Sequence, residues 1–261
     1  MPPAASSSDR NGSSSQDPAR TVRVLPDADA MSQAAARFVV DCVARVLGEQ
    51  DHARIALAGG STPRGLHERL ATEHAGAMAW DRIDVFWGDE RFVPHDHPKS
   101  NTRMARETLL RHVPIPNARV HTIPTDADTP DVAARTYEAR LRDAFGGGDT
   151  TFDLTLLGMG SDGHTASLFP GADETPPTAE EPWVAAVEAP PSHDIRQRIT
   201  CTVPVLNRSR HVAFLVAGAR KHNAVRAILD EGDRSLPAAR IRAQETLTWF
   251  LDEAARSETA G

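Results

Sequence analysis

The sequence predicts an α/β fold in which a mainly parallel sheet carries helices on both faces. Two observations lead to this prediction: short apolar runs alternate with stretches of helical periodicity, and glycine-rich turns follow several of the runs. Alternation of strand and helix favours parallel strands joined by helical crossovers. The chain has 261 residues, enough to bury the core of one large domain without disulfides, and we expect one domain over residues 21–261.

The first half of the chain repeats the strand and helix pattern. Residues 21–25 predict a strand, and Asp27 is placed to cap the helix that follows, whose apolar residues recur at helical spacing over 31–46. Residues 54–58 predict the next strand, and Pro63 suits the first turn of a helix over 64–73. The pattern then predicts a strand at 83–87, a polar loop at 88–100, a helix at 101–111 and a short strand at 120–123.

The second half keeps the same alternation. Residues 131–145 predict a helix, which three glycines at 146–148 end before an apolar strand at 152–157. Residues 171–182 are rich in Pro and Glu and predict a loop. The remaining elements are predicted as strands at 183–187, 198–203 and 212–217, a helix at 220–229 and a strand at 247–251.

The charge balance and the first residues of the chain argue against several classes of partner. Asp and Glu number 36 against 29 Lys and Arg, for a formal net charge of −7, which disfavours a nucleic-acid surface and adhesion to acidic membranes. Residues 1–20 have no apolar core and predict a disordered tail, not a secretory signal. Cys42 and Cys201 fit buried thiols, which indicates a reducing, cytoplasmic compartment. We expect a monomer or a weak homo-oligomer.

A first candidate site is the turn of Gly59, Gly60, Ser61 and Thr62 between a predicted strand and a predicted helix. Such a turn presents backbone N–H groups, two hydroxyls and the positive end of a helix dipole, which together suit a phosphate. The alternative is a plain tight turn in which Ser61 or Thr62 caps the helix. The turn is neither a Walker loop nor a dinucleotide fingerprint, because the Lys of the first and the third glycine of the second are missing.

A second candidate site lies in the polar loop that follows the next strand. Arg91, after an Asp and a Glu, offers a guanidinium fork for an anion, although such a cluster also occurs on ordinary solvated loops. His95, Asp96 and His97 in the same loop could be taken for metal ligands, but these adjacent residues lack a convincing third anchor, and we predict no metal site.

The segment 158–171 is the most informative part of the chain, because it carries an imidazole and a carboxylate on a glycine-rich turn after a strand. His164 is a candidate general base, and Asp162 is placed to orient its ring. Both residues could instead serve only as helix caps. Lys221, farther along, follows a predicted strand at a helix start, where a cation is unfavourable unless an anion shares the position; the alternative is a solvated lysine.

Taken in order, these segments resemble the glucosamine-6-phosphate isomerase/6-phosphogluconolactonase family over residues 22–251, and its lactonases in particular. The resemblance rests on residues 57–63, 87–94, 100–101, 158–171, 198–200 and 218–221. It implies the Rossmann-like three-layer fold of the glucosamine-6-phosphate deaminases, and hydrolysis of 6-phospho-D-glucono-1,5-lactone in the pentose phosphate pathway without a cofactor. After His164 the chain has Ser-Leu-Phe-Pro-Gly where the deaminases have Phe-Asn-Glu-Pro, so it lacks their extra carboxylate.

The resemblance also implies roles for individual residues. His164 would act as general base on water with support from Asp162, and Arg198 would bind the substrate or brace the cleft. The substrate phosphate would be held by Gly59, Gly60, Ser61, Thr62, Arg91 and Lys221. Ala58 replaces the serine usual in the family, so the loop lacks one hydroxyl. Two alternatives stay open: a glucosamine-6-phosphate deaminase, and a non-catalytic sugar-phosphate sensor, for which no helix-turn-helix pattern precedes the sheet.

Overall fold

The computed structural model describes residues 19–146, 148–171 and 182–257, and its strands form two sheets. The strands are β1 (Ala19–Leu25), β2 (Ala53–Leu57), β3 (Ile83–Trp87), β4 (Asp89–Arg91), β5 (Leu154–Gly158), β6 (Val184–Glu188), β7 (Gln197–Cys201), β8 (His211–Val216) and β9 (Thr246–Asp252). Six of them form a parallel sheet in the order β1-β9-β8-β5-β2-β3. The other three form a small antiparallel sheet, β4-β7-β6. The prediction of a mainly parallel sheet is confirmed.

Helices cover both faces of the parallel sheet. The α-helices of the described residues are α1 (Ala28–Glu49), α2 (Ser61–Glu73), α3 (Asn101–Ala105), α4 (Pro130–Phe145), α5 (Val203–Asn207), α6 (His222–Leu229) and α7 (Glu253–Arg256). Successive side chains of a strand point to opposite faces. On β9, the ring of Phe250 packs against that of Phe38 of α1, with the ring centroids 5.5 Å apart. At the other face, Trp249 stacks on Phe214 of β8 and lines a groove together with Ile228 of α6. None of the described helices is long and apolar enough to cross a membrane.

Local sequence signals explain where the long helices begin and end. The Asp27 side chain accepts a hydrogen bond from the N–H of Ala30 and caps α1, as predicted. Thr129 caps α4 in the same way, and α4 ends at Gly146, whose φ of 61° is the left-handed conformation that glycine adopts most easily. The helix predicted over 101–111 begins at Asn101 under a Ser100 cap and continues from α3 into a π-helical turn, Arg106–Leu110.

Three sequence predictions about elements need correction. Residues 120–123 form no strand: Val120 makes one isolated bridge to Val85, because a 3-10 turn at Asn117–Arg119 precedes it. The polar loop at 88–100 contains β4, which pairs with β7. The strand predicted to reach residue 203 ends at Cys201, because Pro204 fits the first turn of a helix and begins α5.

Two other predictions fall on parts of the chain outside the described residues. The predicted tail at 1–20 lies outside them except for Ala19 and Arg20, which belong to β1, so that strand begins two residues earlier than predicted. Most of the predicted loop at 171–182 also lies outside them. Cys42 and Cys201 are both buried and free, as the sequence predicts.

Candidate active site

A cleft of about 390 Å³ opens at the carboxyl ends of β2, β3, β5 and β8. Strand β2 is flanked by β3 on one side and β5 on the other, so the connections that leave these strands diverge and open a crevice between them. The structure brings nearly all predicted site residues to this cleft, and Asp162 joins it through His164. The predicted residues that line it are Gly59, Gly60, Ser61, Thr62, Arg91, His164, Arg198 and Lys221.

The turn after β2 leaves the start of α2 open toward the cleft. Gly60 is the N-cap residue, with φ at 104°, and no side chain caps the helix. The alternative in which Ser61 or Thr62 caps α2 is therefore wrong. The first N–H groups of a helix lack intrahelical partners, so here they remain free to bind an anion.

Gly59 is required by close packing rather than by its backbone angles. A Cβ atom at this position would collide with the side-chain amide of Asn101. That amide donates to the backbone oxygen of Asp89 at 2.9 Å and to its carboxylate at 3.2 Å. The Gly59 turn is thus packed directly against the loop that follows β3, and the two loops share one wall of the cleft.

Glu90 organises the loop that carries Arg91. Its carboxylate is fully buried and accepts four hydrogen bonds, from the backbone N–H groups of Arg91, Asn101 and Thr102 and from the hydroxyl of Ser100. These bonds satisfy the buried charge and fix the start of α3. Within the predicted Asp-Glu-Arg cluster, the Glu therefore has a structural role, and the reading of the whole cluster as a solvated loop is wrong.

Two arginines lie side by side at the cleft wall. The antiparallel pairing of β4 with β7 places Arg91 directly opposite Arg198. Burial, followed by the charge of Arg91, lowers the pKa of Arg198, and the carboxylates of Asp89 and Glu90 only partly offset this effect. The Nε of Arg91 is buried without a hydrogen-bond partner among the described residues. Two neighbouring cations, one of them with an unpaired Nε–H, form a site that favours an anion.

His164 and Asp162 form a hydrogen-bonded pair at the edge of the cleft. The Nδ1 of His164 lies 2.6 Å from Oδ1 of Asp162, and the backbone N–H of His164 donates to the same oxygen at 3.2 Å. Partial burial tends to raise the pKa of Asp162, but the hydrogen bonds and charge of His164 outweigh it and lower this pKa to about 2. Asp162 is ionised at neutral pH and holds Nδ1 as the protonated nitrogen, which leaves Nε2 as a base.

The backbone of this loop leaves room for the pair. A Cβ atom on Gly160 would collide with both the His164 ring and the Asp162 carboxylate. The N–H of Gly160 donates to the carbonyl oxygen of His164 at 2.8 Å, which closes the turn. Gly163 has a φ of 79° and lies against Leu236. A side chain at either glycine would therefore disturb the turn that presents the His164 imidazole.

Lys221 completes the positive side of the cleft. It ends a 3-10 turn, Ala219–Lys221, that follows Gly218 and precedes α6. Burial, opposed by Asp162 and assisted by the charge of Arg220, lowers the pKa of Lys221. The lysine is half-buried at the cleft rather than fully solvated, so the alternative of a solvated lysine is wrong.

Sequence reasoning missed one residue of the cleft, His193. This residue lies on the turn between β6 and β7, a segment for which the sequence predicts neither a strand nor a site. Its ring centroid is 5.6 Å from that of His164 and 5.1 Å from that of Phe169. A histidine on a rigid Pro-bounded turn between two strands is the signal that could have identified it.

One group of side chains among the described residues could hold a metal ion. Asp162, His164 and His193 each offer a ligand atom, and these atoms lie within 4.8 Å of one another. The contact between Asp162 and Nδ1 of His164 already occupies the carboxylate, so a metal there would compete with the bond that orients the ring. His95 and His97, considered from the sequence, instead bond to the backbone of Ile123 and Lys99.

Known proteins with similar sequences cover nearly the whole chain. The model of the family of glucosamine-6-phosphate isomerases and 6-phosphogluconolactonases matches residues 26–249. A 6-phosphogluconolactonase of Synechocystis sp. is 43% identical over 239 residues, which cover 90% of this chain and 96% of that protein. A 6-phosphogluconolactonase of Mycobacterium tuberculosis is 37% identical over 246 residues, which cover 91% of this chain and 98% of that protein.

Solved structures give the same picture of the fold. The crystal structure of 6-phosphogluconolactonase from Thermotoga maritima matches with a TM-score of 0.77 and 33% identity, over 90% of this chain and all of that one. A monomeric glucosamine-6-phosphate deaminase matches with a TM-score of 0.77 and 23% identity, over 90% of this chain and 98% of that one. The second likeness concerns the fold alone, and it confirms the predicted fold shared with the deaminases.

Proposed function

Because the chain belongs to the family of glucosamine-6-phosphate isomerases and 6-phosphogluconolactonases, we propose that it hydrolyses 6-phospho-D-glucono-1,5-lactone to 6-phosphogluconate, a step of the oxidative pentose phosphate pathway. One observation carries this proposal. The base of the His164 and Asp162 pair faces the same cleft as the Arg91 and Arg198 guanidinium groups. A phosphate at one end and a reactive carbonyl at the other match these two features of the cleft.

The phosphate binds where the positive groups converge. Arg91 and Arg198 offer guanidinium donors, and the open start of α2 offers backbone N–H groups from the Gly60 turn. Lys221 adds a further cation to the same cleft. Charge-assisted hydrogen bonds contribute more than neutral ones, so these groups provide both affinity and orientation. The missing hydroxyl at Ala58 removes one donor and leaves the rest of the set intact.

Hydrolysis proceeds at Nε2 of His164. This nitrogen takes a proton from a water molecule as the water oxygen attacks the lactone carbonyl carbon. The bond between that carbon and the ring oxygen then breaks, and the imidazolium returns its proton to the departing oxygen, which becomes the C5 hydroxyl. The new carboxylic acid releases a proton to solvent. Asp162 stabilises the imidazolium between the two proton transfers, and every proton transfer uses a group of this chain or solvent.

The reaction needs only the sugar phosphate and water. We place it in the cytoplasm, since both thiols, Cys42 and Cys201, are buried and free, as in a reducing compartment. The net charge of −7 disfavours a nucleic-acid partner. The positive groups of the cleft therefore select a small anion rather than an extended polyanion, and a monomer or a weak homo-oligomer suffices.

The proposal is tested by the rate of acid release from freshly generated 6-phosphogluconolactone, with and without the protein, after subtraction of spontaneous opening. We expect strong acceleration with the phosphorylated lactone and much weaker acceleration with unphosphorylated glucono-1,5-lactone. Glucosamine 6-phosphate should release no ammonia. No acceleration of lactone opening above the spontaneous rate would reject the proposal.

A further inference from the structure

The ring of His193 lies beside the base and has no role in the mechanism so far. A ring nitrogen of His193 lies within 4.8 Å of ligand atoms on both His164 and Asp162. The ring lines the same cleft, and among the described residues its nitrogens make no hydrogen bond. The side chain therefore has an unused donor or acceptor next to the position where the lactone carbonyl must lie.

The position of this ring is fixed before any ligand binds. Its backbone N–H donates to the carbonyl oxygen of Pro190 at 3.0 Å, in a turn closed at its base by the bond from the Ala189 N–H to Arg196 at 2.7 Å. Phe169 is buried, and its ring packs edge-on against the ring of His193. The ring centroids of Phe169 and His164 are 4.9 Å apart. The two imidazoles thus share one apolar support, which provides the preorganisation that transition-state stabilisation requires.

Ester hydrolysis needs a donor for the oxyanion that forms on the carbonyl oxygen. Backbone N–H groups are common donors, but five of those on the loop that carries His164 are already engaged inside the protein. The paired N–H groups are those of Gly160, Gly163, His164, Ser167 and Leu168. A side chain next to the base can supply the donor that these engaged groups do not.

The cleft offers few side chains for that purpose. Arg91, Arg198 and Lys221 hold the phosphate in the proposed function. His193 is the remaining cleft imidazole next to the base, at a ring separation of 5.6 Å. Burial, then the charges of Arg198 and His164, lower the pKa of His193. A neutral imidazole keeps one N–H donor, and neutral imidazoles stabilise developing oxyanions in known enzymes.

We propose that His193 donates a hydrogen bond to the lactone carbonyl oxygen and stabilises the negative charge that develops there during attack by water. This inference rests on the proposed lactone hydrolysis and adds a catalytic residue to it. The hydrogen bond strengthens as the carbonyl oxygen gains charge, so its loss should lower kcat more than it raises KM.

The test compares His193→Phe, which keeps an aromatic ring against Phe169 without a donor, with His193→Gln, which keeps an N–H donor. Both are assayed with 6-phosphogluconolactone beside the wild type. Asp194→Asn is the matched control on the same turn, since the exposed Asp194 only pairs with Lys99 at 3.3 Å. Circular dichroism and thermal melting establish that each variant is folded.

We expect His193→Phe to lower kcat by about 10²-fold, as for loss of one oxyanion donor, while KM changes less than about threefold. His193→Gln should lose less than about tenfold, and Asp194→Asn should match the wild type. A His193→Phe variant with wild-type kcat overturns the inference, as does a change confined to KM, which would assign His193 to sugar binding. If the wild type itself fails to accelerate lactone opening, the proposed function falls together with the inference.

Discussion

Replacement of Gly160 by alanine should disable the base without unfolding the protein. The new Cβ would collide with Nδ1 of His164 and Oδ1 of Asp162, which touch each other at 2.6 Å. Real Cβ atoms keep at least 3.0 Å from their neighbours, so the pair must move aside. The required movement is about 1 Å, and a misplacement of that size can lower a catalytic rate by about 10²-fold. The backbone of Gly160 is not left-handed, so alanine adds a collision and no backbone strain.

We therefore expect Gly160→Ala to lower kcat for 6-phosphogluconolactone by about 10²-fold. KM should change little, because the residues that bind the substrate phosphate lie on other loops. The His164 and Asp162 side chains border solvent and can move outward, so the free energy of unfolding should fall by only about 1 kcal/mol. The matched control is Gly48→Ala in α1, where a Cβ would meet no atom within 4 Å. A folded Gly160→Ala enzyme with wild-type kcat would refute the reasoning.

Three further predictions address the other parts of the site. Asp162→Asn should lower kcat by at least about tenfold, because the amide no longer stabilises the imidazolium. Because the pKa of Asp162 is lowered in the folded state, its contribution to stability is complete above the unfolded value near 4 and is lost as pH falls toward about 2. Urea unfolding at pH 6 and pH 2.5 should therefore show the wild type losing more stability on acidification than Asp162→Asn; an equal loss would contradict the pairing. Lys221→Met should raise KM by about tenfold with little change in kcat, because it removes a charge-assisted hydrogen bond to the phosphate. Steady-state kinetics measure both constants, and the control Lys99→Met, at an exposed lysine, should leave KM unchanged. Glu90→Gln should lower the free energy of unfolding by about 1–3 kcal/mol, because its amide nitrogen would face backbone donors, and the exposed Glu107→Gln should leave denaturant midpoints unchanged.

The sequence predicts most of the fold because its signals are local. Apolar runs mark all six strands of the parallel sheet, and the Asp27 and Gly146 signals place the ends of two long helices. The small antiparallel sheet could not be predicted, because β4 is only three residues long and its pairing with β7 joins positions about a hundred residues apart. A short polar segment becomes a strand only when a distant partner supplies its hydrogen bonds.

Part of the candidate site could be predicted, because some of its residues follow strands that local sequence signals mark. His164 and Lys221 lie at strand ends, and parallel strands bring such ends to one edge of the sheet. The position of Arg91 opposite Arg198 depends on the register of the antiparallel sheet, which no local pattern reveals. His193 was missed because its turn reaches the cleft only after β6 and β7 have paired.

The most direct measurement of the central claim is the kcat of His164→Ala for 6-phosphogluconolactone, with and without added imidazole. The opening that imidazole catalyses without enzyme is subtracted. We expect kcat to fall by about 10²- to 10⁴-fold at nearly unchanged KM, and part of the rate to return as imidazole is added. A folded His164→Ala enzyme that turns over the lactone at the wild-type rate would show that the proton passes through another group.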